Sequence, residues 1–530
     1  MNDRAGREAP PDSTAAVPVP ASFETAPNPV VRGLSPDPSA CRVGGDYFLA
    51  TSTLEFWPGI PIRHSTDLVH WTVIGHAVTR PAQYRRDRRP GPLRLYAPTL
   101  RHHSGRFYLT CTNVAPGQGN FLLTADDPAG PWSDATWIDA DAFDPSLNFD
   151  GESVLYTRRT VVAGKEGSGP VVQAELDVDS GNLLTPTVPI TPHEAGYCSN
   201  DIEGPHIYRI GQWWYLLAAE GGTWKGHMVT VARATSPWGP FVGYEHNPVL
   251  THRHRVGHPI QSTGHAELVD DVKGNWWALF LGTRHHGPKP WHHLGREVFL
   301  APVTWSEDGW PQIGERGTVE LEHQLRQPLP APRGEWPKQH TPWTSGWCTR
   351  EAPLDGLDIN AASPEDMRIA LPASPRTLSQ DGPVAAAFLS QQEPTATFHA
   401  TLDALPAYPA HAGIAVYASS GHYYLLTVHT GRDGSWLRLT RQVGDMRQVT
   451  SMPAPASAGL EMRISGTLDR YSFHVRTADA DAEQAWLEVG SGQTSLLSAE
   501  TSQSYSGARF CVYANGAATP FQRVGSTNCL

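Results

Sequence analysis

Asp37, in the stretch "SPDPSACRVGGDYFLA", stands between two prolines just ahead of a strand-like run. A single Asp-Pro step is ordinary turn chemistry. This one has relatives along the chain. They are "YAPTLRHHSGRFYLTCTN" from Tyr96, "FDPSLNFDGESVLYTRR" from Phe143, "EGPHIYRIGQWWYLLAAE" from Glu203 and "GHAELVDDVKGNWWALFLG" from Gly264. The residues just before the first strand of each unit are Asp37, Ala97, Asp144, Glu203 (with a one-residue shift) and His265. Turns account for one such acid well, but not for acids at three equivalent positions. Paired carboxylates suit glycoside hydrolysis, where one donates a proton to the leaving oxygen and the other, ionised, activates water or attacks carbon. Crowding like charges pushes their pKa values apart and so separates the roles. The rival chemistry is a divalent-ion site built from Asp37, Asp144, Glu203 and His265. For His265 there is also a plainer reading, a core histidine satisfied by hydrogen bonds.

The repeat supplies the elements that would hold these groups together. Each unit reads as a short strand, a Gly-bearing turn and a second strand rich in aromatic and aliphatic residues, which is a hairpin pattern. The units recur every ~50–60 residues, near the period of propeller blades. Further strand-like runs between them, such as "PIRHSTDLVHWTVIG", give four strands per unit. The expected fold is all-β: a five-bladed β-propeller over residues 27–325, whose innermost strands converge on one axis. Residues 1–26 read as a flexible N-terminal segment and 326–345, "RQPLPAPRGEWPKQHTPWTS", as a proline-rich linker. From 346 to 530, alternating runs such as "AGIAVYAS", "HYYLLTVHT" and "ARFCVYANG" predict a β-sandwich.

Composition narrows the partners. A formal net charge of −12 argues against nucleic acid, and the basic run from Arg85 to Arg94 reads as a solvated loop. No apolar run reaches membrane-spanning length. The first residues lack an apolar signal core, so the expected location is cytoplasmic. Six cysteines, at 41, 111, 198, 348, 511 and 529, show no metal-ligand spacing and read as free thiols.

The ordered set "NPVVRGLSPDPSACRVGGDYFLATSTLEFWPG", "YAPTLRHHSGRFYLTCTNV", "FDPSLNFDG", "EGPHIY", "STGHAELV" and "HHLGREVFLAPVTWSEDGWP" resembles glycoside hydrolase family 43 enzymes of the β-xylosidase and α-L-arabinofuranosidase type. By that resemblance Asp37 is the general base, Asp144 the acid that modulates pKa and orientation, and Glu203 the general acid. His265 matches the central-channel histidine, near which some members hold a calcium ion or water. Arg284 of "GTRH" resembles the arginine that contacts the innermost sugar. Leu54 and Tyr96 depart from the aromatic and Trp that many β-xylosidases carry, leaving Phe56 and Trp57 as candidate pocket aromatics. The C-terminal region resembles the concanavalin-like domain of such enzymes. The resemblance implies an inverting exo-glycosidase acting on hemicellulose-derived oligosaccharides, with no cofactor needed for the chemistry and the option of a homo-oligomer. A catalytically silent sugar-binding propeller and an arabinan hydrolase are the alternatives.

Overall fold

Each sequence unit folds into a four-stranded antiparallel blade in the computed structural model of the protein. The described residues are 25–86, 91–160, 169–191, 201–286, 289–324, 329–331, 334, 336–361, 367–479 and 485–527. The innermost strands of blades I to V are Ser39–Val43, Leu95–His103, Ala142–Asp150, Glu203–Ile210 and Ile260–Asp270. In every blade the turn out of the innermost strand carries a glycine at positive φ: Gly44, Gly105, Gly151, Gly211 and Gly274. Hairpin turns with a left-handed residue favour glycine, which pays no Cβ penalty there. This is the physical basis of the repeat seen in the sequence.

Adjacent blades share apolar layers. Phe48, Leu109 and Phe121 pack between blades I and II, and Leu217, Phe280 and Phe299 between IV and V. Burying each such side chain stabilises the ring by about 1.5–3 kcal/mol. The ring closes where Thr25–Pro27 pairs with Glu322–Gln324 and Val31 bridges to Val298. Thr25 and Ala26, within the segment expected to be flexible, are thus part of a paired strand, and residues 1–24 lie outside the described residues.

The second domain is a sandwich of an eight-stranded and a seven-stranded sheet. Its core includes Phe398 stacked on Phe510 at 5.4 Å and 4°. The eight-stranded sheet does not end within the domain. Its last strand is Phe56–Trp57 of the propeller, paired with Thr349 and Arg350. From Trp336 onward, the segment read as a linker lies against blade I. Trp336 meets Phe48 edge-on at 5.1 Å, Gln339 N–H donates to the Ile74 carbonyl at 3.0 Å, and Trp343 meets Trp57 at 4.9 Å. Its tryptophans anchor it despite the prolines. Cys41, Cys111, Cys348 and Cys511 are free thiols, while Cys198 and Cys529 lie outside the described residues. Arg94, at the end of the basic run, pairs with Glu351 of the sandwich at 2.7 Å rather than facing only solvent. Among the described residues, no helix is long and apolar enough to cross a membrane.

Candidate active site

The recurring position ahead of each innermost hairpin has one backbone conformation in all five blades. Asp37, Ala97, Asp144 and His265 have φ of 55°, 44°, 52° and 48°. In blade IV the left-handed residue is Gly204, φ 55°, and Glu203 precedes it. This explains the one-residue shift in the sequence alignment. The strand pairing slips at the same place in blades II, III and IV, between Tyr96 and Thr99, Phe143 and Ser146, and Glu203 and His206. Such bulges re-aim side chains at the rim of a sheet. Here the bulges of blades III and IV turn Asp144 and Glu203 into a cavity of about 420 Å³ that Asp37 and His265 also line.

Each acid has a different setting in that cavity. Asp37 is 4% exposed; Oδ2 accepts a hydrogen bond from Ser52 Oγ at 2.5 Å, and Oδ1 lies 3.2 Å from Arg296 Nη1 and 3.9 Å from His265 Nδ1. Asp144 Oδ2 accepts the Gly204 N–H at 2.9 Å, a bond that ties blade III to blade IV. Glu203 Oε2 is 3.7 Å from Arg159 Nη1, which is held closer, at 2.8 Å, by Asp201. Burial pushes the Asp37 carboxyl up, but Arg296, His265 and Ser52 outweigh it and hold it below the ordinary range. Burial pushes Glu203 up to about 8, reinforced by the neighbouring charges of Asp144 and Asp201. Asp144 is also raised, first by burial and then by Asp37, against the pull of His265. One carboxyl is thus kept ionised and another protonated at neutral pH, within one pocket.

Below His265 the axis is filled by a satisfied ionic network. Glu267 accepts from Ser39 Oγ at 2.7 Å, Arg101 Nη1 at 2.8 Å and Tyr208 Oη, and His206 Nδ1 stands 3.2 Å from Arg101. Calcium takes about six to eight oxygen ligands. The axis offers His265 an imidazole neighbour, His206, with ring centroids 6.4 Å apart, and a carboxylate already engaged by three partners. This donor set is not a calcium cage.

Two family models match the chain in order: "Glycosyl hydrolases family 43" over residues 26–311 and "Beta xylosidase C-terminal Concanavalin A-like domain" over residues 333–522. The chain belongs to glycosyl hydrolase family 43. It is 35% identical over 513 residues to a non-reducing end alpha-L-arabinofuranosidase of Bacteroides ovatus, covering 92% of this chain and 91% of that protein. It is 40% identical over 319 residues to a xylosidase/arabinosidase of Butyrivibrio fibrisolvens, covering 57% and 59%. Among solved structures, the family 43 enzyme titled as belonging to the Bacteroides ovatus xyloglucan locus superposes with TM-score 0.83 at 31% identity, covering 96% of this chain and all of that one. A xylan beta-1,4-xylosidase of Bacillus halodurans gives 0.81 at 25% identity, covering 94% and 99%.

Three residues expected at the pocket of this family 43 chain lie elsewhere. Phe56 and Trp57 are buried in the sandwich sheet, and Arg509 covers the Phe56 ring at 3.8 Å. Their aromatic faces are consumed by the domain junction. Arg284 ends a blade V strand with its guanidinium spread over Glu297 at 2.7 and 2.8 Å, Glu393 at 3.0 Å and the Gln392 carbonyl at 2.5 Å. It clasps the two domains. Arg296 of "LGREVF" lines the pocket instead, together with Arg159, and its Nε and Nη2 are buried without a hydrogen-bond partner among the described residues. Arg159 presents the same pair of unpartnered atoms. Two guanidinium edges of this kind suit a ligand rich in hydroxyl oxygens.

The remaining wall comes from Tyr96, Phe143, Thr223, Trp224 and Tyr505. Tyr505 belongs to the sandwich domain. It stacks on Trp224 at 5.7 Å and 27°, meets Tyr96 edge-on at 6.4 Å, and lies 5.4 Å beneath the Arg296 guanidinium. The pocket is therefore built by both domains. No feature of the propeller sequence points to Tyr505, because its partner surface lies more than two hundred positions away in the chain.

Proposed function

We propose that the protein is an inverting exo-glycosidase that releases terminal β-D-xylosyl or α-L-arabinofuranosyl residues from hemicellulose-derived oligosaccharides. The observation that carries this reading is the split between Glu203, held protonated, and Asp37, held ionised, in one shared pocket. Glu203 delivers its proton to the glycosidic oxygen as the C1–O bond breaks. Asp37 takes a proton from water, whose oxygen bonds to C1 from the opposite face. The cycle leaves Glu203 ionised and Asp37 protonated, and exchange with solvent restores both. Asp144, through the Gly204 N–H, fixes the backbone next to Glu203 and keeps negative charge beside it. A cavity of about 420 Å³, walled by Tyr505 and Trp224, matches a small-molecule pocket rather than an open polymer cleft. The names of the relatives support the two pentosides as substrates.

The test pairs kinetics with stereochemistry. The purified protein should release nitrophenol from aryl β-D-xyloside or aryl α-L-arabinofuranoside. Proton NMR in early turnover should show the inverted anomer first. Initial retention would make Asp37 a nucleophile instead, and no turnover of either pentoside would favour a sugar-binding role.

A further inference from the structure

Away from the catalytic pocket, the domain junction gathers three side chains of ligand type. His285 and His292 come from the blade V loop and Glu500 from the short helix Ala499–Ser502 of the sandwich. His292 Nδ1 is 2.9 Å from Glu500 Oε1, and the His292 N–H donates to Oε2 at 3.1 Å. His285 Nε2 is 3.9 Å from the same Oε1, too far for a hydrogen bond. The ligand atoms of the three residues all lie within 4.8 Å of one another. His285 and His292 are 6% and 3% exposed.

The tautomer of His285 follows from its other nitrogen. Nδ1 stands 3.4 Å from the Lys289 carbonyl, an acceptor only, so Nδ1 carries the proton and Nε2 keeps its lone pair. That Nε2 is buried and has no hydrogen-bond partner among the described residues. Leaving a buried polar atom unsatisfied costs about 1–3 kcal/mol. A bound cation removes that cost.

We propose that His285, His292 and Glu500 form an interdomain site for a borderline divalent ion, Zn²⁺ foremost. Two ligand atoms at ~2.0–2.1 Å from a tetrahedral zinc stand about 3.4 Å apart. The separations of 2.9 and 3.9 Å straddle that value. Two imidazole nitrogens and one carboxylate oxygen select zinc over calcium or magnesium, which take oxygen ligands. Water completes the fourth position. The site has a mechanical consequence. Ala499 N–H donates to the His292 carbonyl at 3.1 Å and Ala508 N–H to the His293 carbonyl at 2.7 Å. The segment between them carries Tyr505 to the pocket wall. An ion on Glu500 stiffens that segment at its first anchor.

The test uses the full chain, stripped with chelator and dialysed against zinc chloride, with metal content measured per chain. The expected result is one zinc per chain, a thermal midpoint that rises with zinc, and a tetrahedral visible spectrum when Co²⁺ replaces it. Even an outer residue that only orients a metal ligand contributes about 10–100-fold to affinity. His285→Ala should therefore lower zinc affinity more than about tenfold, and Glu500→Gln should also weaken it, while His265→Ala keeps the zinc. Absence of zinc uptake by the unaltered chain overturns the proposal whatever the variants do. So does uptake unchanged in both His285→Ala and Glu500→Gln, because the ion then sits elsewhere.

Discussion

Gly204 and His265 compete for one space. A Cβ on residue 204 would stand 2.8 Å from His265 Cε1 and 3.0 Å from each ring nitrogen. The other four blades hold Asp37, Ala97, Asp144 and His265 at the same left-handed φ, so it is the His265 ring that restricts this position of blade IV to glycine. The pocket carboxylate of that blade sits one residue earlier, at Glu203. Gly204→Ala forces the His265 ring to move, and with it the imidazole that helps hold down the Asp37 and Asp144 carboxyls. Displacements of about 1 Å at a reacting centre can cost about 100-fold in rate. The expected outcome is a kcat about 100-fold lower in a chain that still folds, checked by calorimetry beside kinetics. Wild-type kcat would show that His265 can shift without consequence.

The acid and base should separate by leaving group. A sugar alkoxide needs a proton on departure, whereas a dinitrophenolate hardly does. General acid catalysis contributes about 10²–10⁴-fold. Glu203→Ala should lose that factor on xylo- or arabino-oligosaccharides and keep most of its rate on a dinitrophenyl pentoside. Asp37→Ala should lose both activities, since water must be activated in either case. Equal losses on both substrates in the two variants would reverse or abolish the assignment.

The pH profile tests the electrostatics. Glu203, raised to about 8, must be protonated to work, so the alkaline limb of kcat/KM should fall near pH 8. Asp37, held below the ordinary range, must be ionised, so the acid limb should lie low. Asp201→Asn removes a negative charge beside Glu203 and frees Arg159 to approach it from 3.7 Å. Both changes favour the ionised form. The alkaline limb should therefore move to lower pH. A limb that stays in place means that another group sets it.

How far the sequence spoke for the structure can be read from individual residues. The turn glycines and the acids they precede recur because each blade solves the same local problem, so Asp37, Asp144, Glu203 and the five-bladed ring were visible as repetition. The arginine was not. Arg284 and Arg296 stand twelve positions apart in one blade, and only the tertiary partners distinguish them: Glu297 and Glu393 occupy Arg284, while Arg296 faces Asp37. Phe56 and Trp57 misled for a related reason. Aromatic residues beside a pocket motif look like pocket walls, and nothing local reveals that their backbone extends a sheet begun after residue 346. Contacts between domains carry no periodic signal.

Tyr505 offers the most direct test that the sandwich belongs to the catalytic unit. Its ring packs between Trp224 and Tyr96 and under Arg296, all of them pocket residues, yet it touches none of the three acids by hydrogen bond among the described contacts. It should therefore act on substrate binding rather than on proton transfer. Tyr505→Ala removes the wall, exposes the face of Trp224 and lets Arg296 swing away from its aromatic cover. A loss of about 1.4 kcal/mol of binding is tenfold, and aromatic pairs contribute about 0.5–1.5 kcal/mol beyond their buried area. KM should rise about tenfold while kcat on an aryl pentoside changes little. Tyr505→Phe keeps the ring and should restore KM. A Tyr505→Ala enzyme with unchanged KM on aryl glycosides and oligosaccharides alike would show that the sugar does not reach this wall, and that the sandwich acts only through the strand it shares at Phe56 and Trp57.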